Sequence, residues 1–294
     1  MNDWSTPIAK LAETTGQEAS SFQIGEGVGG GCINQAVTLE GGGFRYFVKS
    51  NHPSGLEMFA AEAEGLQTLA ATQAVRVPTP VCWGSGSDMA FLVLEYLDLS
   101  SGHRRAQALL GRQLAAMHQT SHTRFGWHRP NTIGTTRQRN EYSESWVEFF
   151  RHRRLGYQLE LAGRGGNRAL QASGEKLLSR LNSFFEGYAP PPSLLHGDLW
   201  VGNTGETTLG QPVLFDPAVY FGDRETDLAM TELFGGFSET FYRSYDEAWP
   251  LDPGYATRKI LYNLYHVLNH LNLFGRAYLK QAEQMIGALL AAVR

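Results

Sequence analysis

Two polar words in the sequence have the residue types that phosphoryl chemistry requires. The first is His196-Gly197-Asp198-Leu199-Trp200-Val201-Gly202-Asn203, and the second is Phe215-Asp216-Pro217-Ala218. Apolar runs precede both, Leu194-Leu195 and Val213-Leu214, so each word reads as the polar end of a buried strand. A strand running into Asp198, an Asn five residues on, and another strand ending in Asp216 place three oxygen-bearing side chains at one sheet edge. Phosphoryl transfer uses such a set. One carboxylate accepts the proton of an attacking hydroxyl, while an amide oxygen and a second carboxylate hold Mg²⁺ ions that bridge the phosphates. Asp198 fits the base, Asn203 a metal ligand and Asp216 the main metal ligand. Asp, Asn, Gly and Pro also crowd ordinary turns through local hydrogen bonding. The pairing of the two words, together with what precedes them in the chain, distinguishes them from such turns.

Upstream, Gly25-Glu26-Gly27-Val28-Gly29-Gly30-Gly31-Cys32 lies between apolar or β-branched segments, so it reads as a glycine turn joining two strands. A dinucleotide-binding turn would instead lead from a strand into a helix. Phe44–Lys49 reads as the next strand, and Glu62 and Glu64 lie in a helical pattern that follows. Kinases use this order: a glycine-rich loop over the ATP phosphates, a strand Lys gripping them, and a helix Glu holding that Lys. Gly29, Gly30, Gly31 and Lys49 are therefore candidate nucleotide contacts. Leu94-Glu95-Tyr96-Leu97 ends the last apolar strand where the composition changes, so its backbone is placed to bond an adenine edge.

The elements that must position these residues follow from apolar spacing. Residues 5–20 read as a short helix. Strands around the glycine turn, at 44–49, 81–84 and 90–97, and a helix over 55–71 give β-β-β-α-β-β through residue 97. Beyond Asp98 the pattern is mostly helical, over 103–119, 143–162, 174–188, 256–274 and about 277–293. The expected class is α+β and bilobal. Residues 1–97 form a small antiparallel nucleotide-binding lobe with one helix, and 98–294 form a larger catalytic and acceptor-binding lobe. Asp227 is expected to open a helix as its N-cap and to hold the Asp198 loop from below through backbone hydrogen bonds. Asp223 and Arg224 are expected to pair with each other, and His118 to sit at a helix C-terminus for dipole reasons.

Composition excludes several classes. Hydrophobic residues make up 42% of the 294 and charged residues 18%, the balance of a folded globular chain. A net charge of -4 lacks the basic footprint of a nucleic-acid binder. No segment reads as a membrane helix or a signal peptide. Two cysteines, Cys32 and Cys82, fit a reducing cytoplasm rather than a disulfide scaffold. The nine histidines show no zinc spacing, and Gly-x-Ser-x-Gly is absent.

The chain resembles the fructosamine 3-kinase, or ketosamine 3-kinase, family, which has the protein-kinase-like fold of aminoglycoside and choline kinases. The words that carry the resemblance are Gly29-Gly30-Gly31-Cys32-Ile33-Asn34-Gln35-Ala36, Met58–Leu66, the Asp198 word with its Trp200, and Phe215–Glu225. The resemblance implies ATP- and Mg²⁺-dependent phosphorylation of the 3-hydroxyl of a ketosamine, either small or borne on a protein, in deglycation repair. It implies Asp198 as base, Asn203 and Asp216 on metal, Lys49 on phosphates with Glu62 as its partner, and Leu94, Glu95 and Tyr96 in the adenine pocket, with Leu97 beside them. It also points to Gln138, Asn140 and Trp146 as walls of the acceptor site. Trp200 offers an apolar face to a sugar and an N–H to a hydroxyl.

Two alternatives stay open at this point. One is a kinase of another acceptor, such as an aminoglycoside, choline or homoserine. The other is an inactive nucleotide-binding protein, against which Lys49, Asp198, Asn203 and Asp216 all speak. Cys32, in a loop of backbone N–H donors near Lys49, is expected to favour thiolate. Oxidation there is expected to lower activity or to link a monomer into a Cys32–Cys32 homodimer.

Overall fold

The structure is a computed structural model and describes residues 4–27, 34–100 and 106–293. Gly29, Gly30, Gly31 and Cys32 lie outside the described residues. Along the chain run α1 (Ser5–Thr15), β1 (Gln23–Gly27), β2 (Gln35–Gly41), β3 (Phe44–Asn51), α2 (Leu56–Ala71), β4 (Pro80–Ser85) and β5 (Ala90–Glu95). Next come α3 (Gln107–His118), β6 (Asn131–Ile133), β7 (Thr136–Gln138), α4 (Trp146–Phe149), a π-helical turn (Phe150–Leu155), α5 (Gly156–Arg164) and α6 (Arg168–Ser179). The remainder is β8 (Ser193–Leu195), β9 (Thr204–Glu206), β10 (Pro212–Leu214), β11 (Tyr220–Gly222), α7 (Glu225–Leu233), α8 (Glu239–Ala248), α9 (Tyr255–Phe274) and α10 (Leu279–Ala292). The architecture is α+β.

Two compact units result. The first comprises Met1–His103 and Gly205–Pro217, the second Arg104–Thr204 and Ala218–Arg294. In the first, five antiparallel strands pair in the order β1-β2-β3-β5-β4. Val48 opposes Val93 across β3 and β5, and both pack with Phe91, Leu39 and α1's Leu11 in one apolar cluster. Strand side chains alternate between faces, so Lys49, opposite Leu92, turns to the other face.

The segment carrying Asp216 was expected in the C-terminal lobe. It folds instead with the first unit, because its backbone is tied there. Leu214 N–H donates to the Arg76 carbonyl at 2.9 Å, Thr208 N–H to that of Asp98 at 3.0 Å, and Ser100 N–H to that of Glu206 at 2.8 Å.

The second unit is mostly helical around α9, whose Leu261, Leu264, Val267 and Leu268 are fully buried. Two short antiparallel pairs, β8 with β11 and β6 with β7, are set among the helices. Several expectations shift. α1 stops at Thr15, where Gly16 closes it with an N–H to the Ala12 carbonyl at 2.9 Å. The helix expected over 143–162 runs Trp146–Arg164 and widens through the π-helical turn. The helix expected over 174–188 is α6 followed by a 3₁₀ stretch, Leu181–Phe185. β5 ends at Glu95, so Tyr96 and Leu97 lie beyond the strand. Among the described residues no helix is long and apolar enough to cross a membrane.

Candidate active site

In the first unit, Lys49 of β3 is 6% exposed. Its Nζ donates to Glu62 Oε1 at 2.6 Å and to Asp216 Oδ1. Glu62 and Glu64 stand two apart on α2, so they cannot face the same neighbour, and the one facing β3 is Glu62. Burial works against the Lys49 ammonium, but the Asp216 and Glu62 carboxylates hold its pKa above the ordinary lysine range. Burial pushes the Glu62 carboxyl up, and Lys49 pulls it back. A buried cation between two carboxylates is fixed in place and charged at neutral pH.

Asp216 sits at φ 57, the left-handed region that non-glycine residues enter at a cost of about 1–2 kcal/mol. The strained backbone turns its carboxylate back to Lys49 while leaving the side chain 45% exposed. At the end of β5, Leu94 is buried, and the Glu95 N–H is bonded to the Thr79 carbonyl at 2.9 Å. The Glu95 carboxylate pairs with Arg76, and the Tyr96 ring lies under the Arg45 guanidinium at 4.9 Å. The Glu95 N–H is thus already committed within the strand edge.

In the second unit, β8 delivers the Asp198 loop. Gly197 takes φ 85, and a Cβ there would lie 2.1 Å from the Ala218 carbonyl oxygen, so only glycine lets the loop turn against the segment that leads into β11. Asn203 Nδ2 donates to the Asp198 carbonyl at 2.9 Å and to Asp198 Oδ2 at 3.3 Å. The amide nitrogen is therefore committed to the carboxylate, and its oxygen is the atom left for a metal. Trp200 is 37% exposed, and its ring meets Phe234 edge-on at 6.3 Å.

Beneath the loop lies Asp227. It is not an N-cap but sits within the first turn of α7. Its Oδ2 accepts the His196 N–H at 2.7 Å, and its Oδ1 accepts the Gly197 N–H at 2.9 Å. His118 Nε2 lies 3.1 Å from Oδ2, and its Nδ1 is 2.8 Å from the Tyr245 hydroxyl. His118 is the last residue of α3, at a helix C-terminus as expected, and it is fully buried there with its ring braced against Asp227. Burial works to raise the Asp227 pKa, but the His118 bond holds it below the ordinary range. Removing the carboxylate leaves several buried donors unpaired. Asp227→Ala is expected to lower the unfolding free energy by about 3 kcal/mol or more, read as a lower urea midpoint at unchanged slope. An unmoved midpoint would show that the loop is held by other contacts.

Other expectations are corrected. Asp223 and Arg224 do not pair with each other. Asp223 accepts from the Tyr188 hydroxyl at 3.0 Å and from Tyr262, while Arg224 donates to the Tyr245 hydroxyl and the Trp249 carbonyl. Burial pushes the Asp223 carboxyl up to about 7. Gln138, Asn140 and Trp146, expected as walls of the acceptor site, are all buried, and their polar atoms are bonded to protein partners. Gln138 Nε2 donates to the Ala218 carbonyl at 3.2 Å and to Asn131, Asn140 Nδ2 donates to Asn131 at 2.9 Å, and Trp146 Nε1 donates to the Tyr262 hydroxyl. Gln138 and Asn131 support the Ala218–Val219 backbone directly, and Asn140 holds Asn131. Cys82 is buried and free, with burial raising its thiol to about 11, so it is inert as a thiolate.

Sequence reading missed His118 as a support and Phe234 as a neighbour of Trp200. His118 is 109 residues from Asp227, and no local pattern marks so distant a pair.

The model of a family described as fructosamine kinase matches residues 3–292. A protein of Synechocystis described as a probable ketoamine kinase is 48% identical, over 96% of this chain and 95% of its own. A chloroplastic protein-ribulosamine 3-kinase of Arabidopsis thaliana is 40% identical, over 98% of this chain and 89% of its own. A crystal structure from Haemophilus somnus assigned to the fructosamine-3-kinases superposes with a TM-score of 0.87 at 30% identity, covering 98% of this chain and 97% of that one.

Proposed function

Because the chain belongs to the fructosamine kinase family, and is with it a kinase of the protein-kinase-like fold, we propose the following division of labour for its phosphorylation of ketosamines. Asp198 accepts the proton of the ketosamine 3-hydroxyl as that oxygen attacks the γ-phosphate of ATP. Lys49, kept charged and oriented by Glu62, steadies the phosphates. Trp200 lies against the sugar. The observation that carries this reading is the grip of Asn203 on Asp198, at 2.9 Å to its carbonyl and 3.3 Å to its carboxylate, in a loop pinned by Asp227. A general base must be presented in one orientation, and these bonds fix it.

The residues fit Mg²⁺, a hard cation that takes carboxylate and amide oxygens and keeps phosphate or water for the rest of its shell. Each unit by itself offers such an oxygen, the exposed part of the Asp216 carboxylate in the first and Asn203 Oδ1 in the second. Among the described residues no cluster of three or more His, Cys, Asp or Glu competes for a metal. When bound, the ion neutralises phosphate charge as the γ-phosphoryl group leaves. The two-cysteine composition supports a cytoplasmic setting.

The test is ATP turnover on ribulosamine and fructosamine adducts beside an aminoglycoside and choline, with the phosphate position read by NMR. Phosphate on the ketosamine 3-hydroxyl is the expected result. Turnover of choline or the aminoglycoside in preference, or phosphate at another hydroxyl, overturns it.

A further inference from the structure

Among the described residues eight large hydrophobic side chains are exposed, and three of them, Trp200, Phe234 and Phe274, belong to one aromatic row. Trp200 meets Phe234 at 6.3 Å, Phe234 meets His270 at 5.1 Å, and His270 meets Phe274 at 5.5 Å and Tyr278 at 5.1 Å. All lie in the second unit. Scattered exposed apolar residues need no explanation, but a contiguous set marks a surface that receives something.

The row is anchored to the loop that carries the base. Phe234 closes α7, and the chain then turns through Gly235 and Gly236 over Val201. A Cβ on Gly236 would lie 2.7 Å from Val201 Cβ, so the turn sits directly on the Asp198 loop. From Trp200, two residues past Asp198, the row runs to the C-terminal end of α9.

The chemistry of a ketosamine says what covers it. The reacting 3-hydroxyl is joined through two further carbons to a secondary amine, which is cationic at neutral pH. The amine's own substituent continues away from the sugar. Aromatic faces attract such a cation and cover an alkyl chain. Burial pushes the His270 pKa down, so its ring is neutral and does not repel the amine. Its Nδ1 is buried without a protein partner, which leaves one polar atom in the row unmatched.

We infer that the row from Trp200 through Phe234 and His270 to Phe274 and Tyr278 is the subsite for the amine substituent of the acceptor, and that it selects ketosamines borne on a lysine side chain of a polypeptide over those of a one-carbon amine. This subsite rests on the ketosamine kinase activity proposed above.

Phe274 is the residue to change. It is 52% exposed, so truncation leaves the fold intact, which an unchanged melting temperature checks. The same ketose is offered on methylamine and on the lysine of a short blocked peptide. Phe274→Ala is expected to lose about tenfold in kcat/KM on the peptide adduct, mainly in KM, with the methylamine adduct changed by less than about twofold. Phe274→Tyr is expected to keep the peptide preference. A parallel loss on both adducts, or no loss on either, overturns the subsite while leaving the kinase activity standing. Failure of the unsubstituted enzyme to phosphorylate either adduct overturns the kinase reading and the subsite with it.

Discussion

Asp198→Asn is expected to lower the rate of ketosamine phosphorylation by about 10²–10⁴-fold while nucleotide affinity stays close to that of the unsubstituted enzyme. The substitution keeps the shape of the side chain and removes its ability to take a proton. The loop should remain in place, because its Asp227 bonds use the backbone of His196 and Gly197, not the Asp198 side chain. Asn203 can still donate to the Asp198 carbonyl and to an amide oxygen at the former Oδ2 position. The expected signature is a collapse of kcat with the dissociation constant for Mg-ATP, measured by calorimetry, nearly unchanged. Activity near that of the unsubstituted enzyme would remove Asp198 from the role of base.

Asp216→Ala is expected to weaken Mg-ATP binding by about 100-fold or more, since even loss of a group behind a metal ligand commonly costs 10–100-fold. The carboxylate has two tasks here. It holds Lys49 together with Glu62, and under the reading proposed above it also offers oxygen to the metal. Alanine removes both and is also strained at φ 57. Asp216→Asn separates these effects. Asparagine tolerates the left-handed region and keeps one oxygen, but carries no charge. Retained stability with strongly weakened Mg-ATP binding in Asp216→Asn assigns the loss to charge on the metal. Unchanged calorimetric binding in both variants would show that Asp216 is not a main ligand.

Much of this was legible because the informative residues are close in sequence. Asp198 and Asn203 lie within one loop, and the strand that carries Lys49 and the helix that carries Glu62 each announce themselves by apolar period. Leu56, Phe59, Ala63 and Leu66 repeat at helical spacing, and Phe59, Ala63 and Leu66 are buried. Legibility ended where partners are far apart in the chain. Nothing near His118 shows that its ring will meet Asp227 and Tyr245. Gln138, Asn140 and Trp146 carry the polar atoms of a binding site, and only the fold shows those atoms turned inward to Asn131, Ala218 and Tyr262. The β6–β7 hairpin was missed because each strand spans three residues, too short for alternation to register. α8 was missed because its sequence, ETFYRSYDEA, is largely polar and buries only Phe241, Ser244 and Tyr245.

The two oxygens of Asp227 carry a consequence for motion. They clasp the His196 and Gly197 amides from α7, and His118 braces the same carboxylate from α3. Those amides cannot meet solvent unless segments far apart in the chain separate, which amounts to dismantling the core of the unit. Their hydrogen exchange should therefore report global unfolding rather than local breathing. The backbone of the Asp198 loop is then held as firmly as the core of its unit, and the mobility left at its surface resides in exposed side chains such as Trp200.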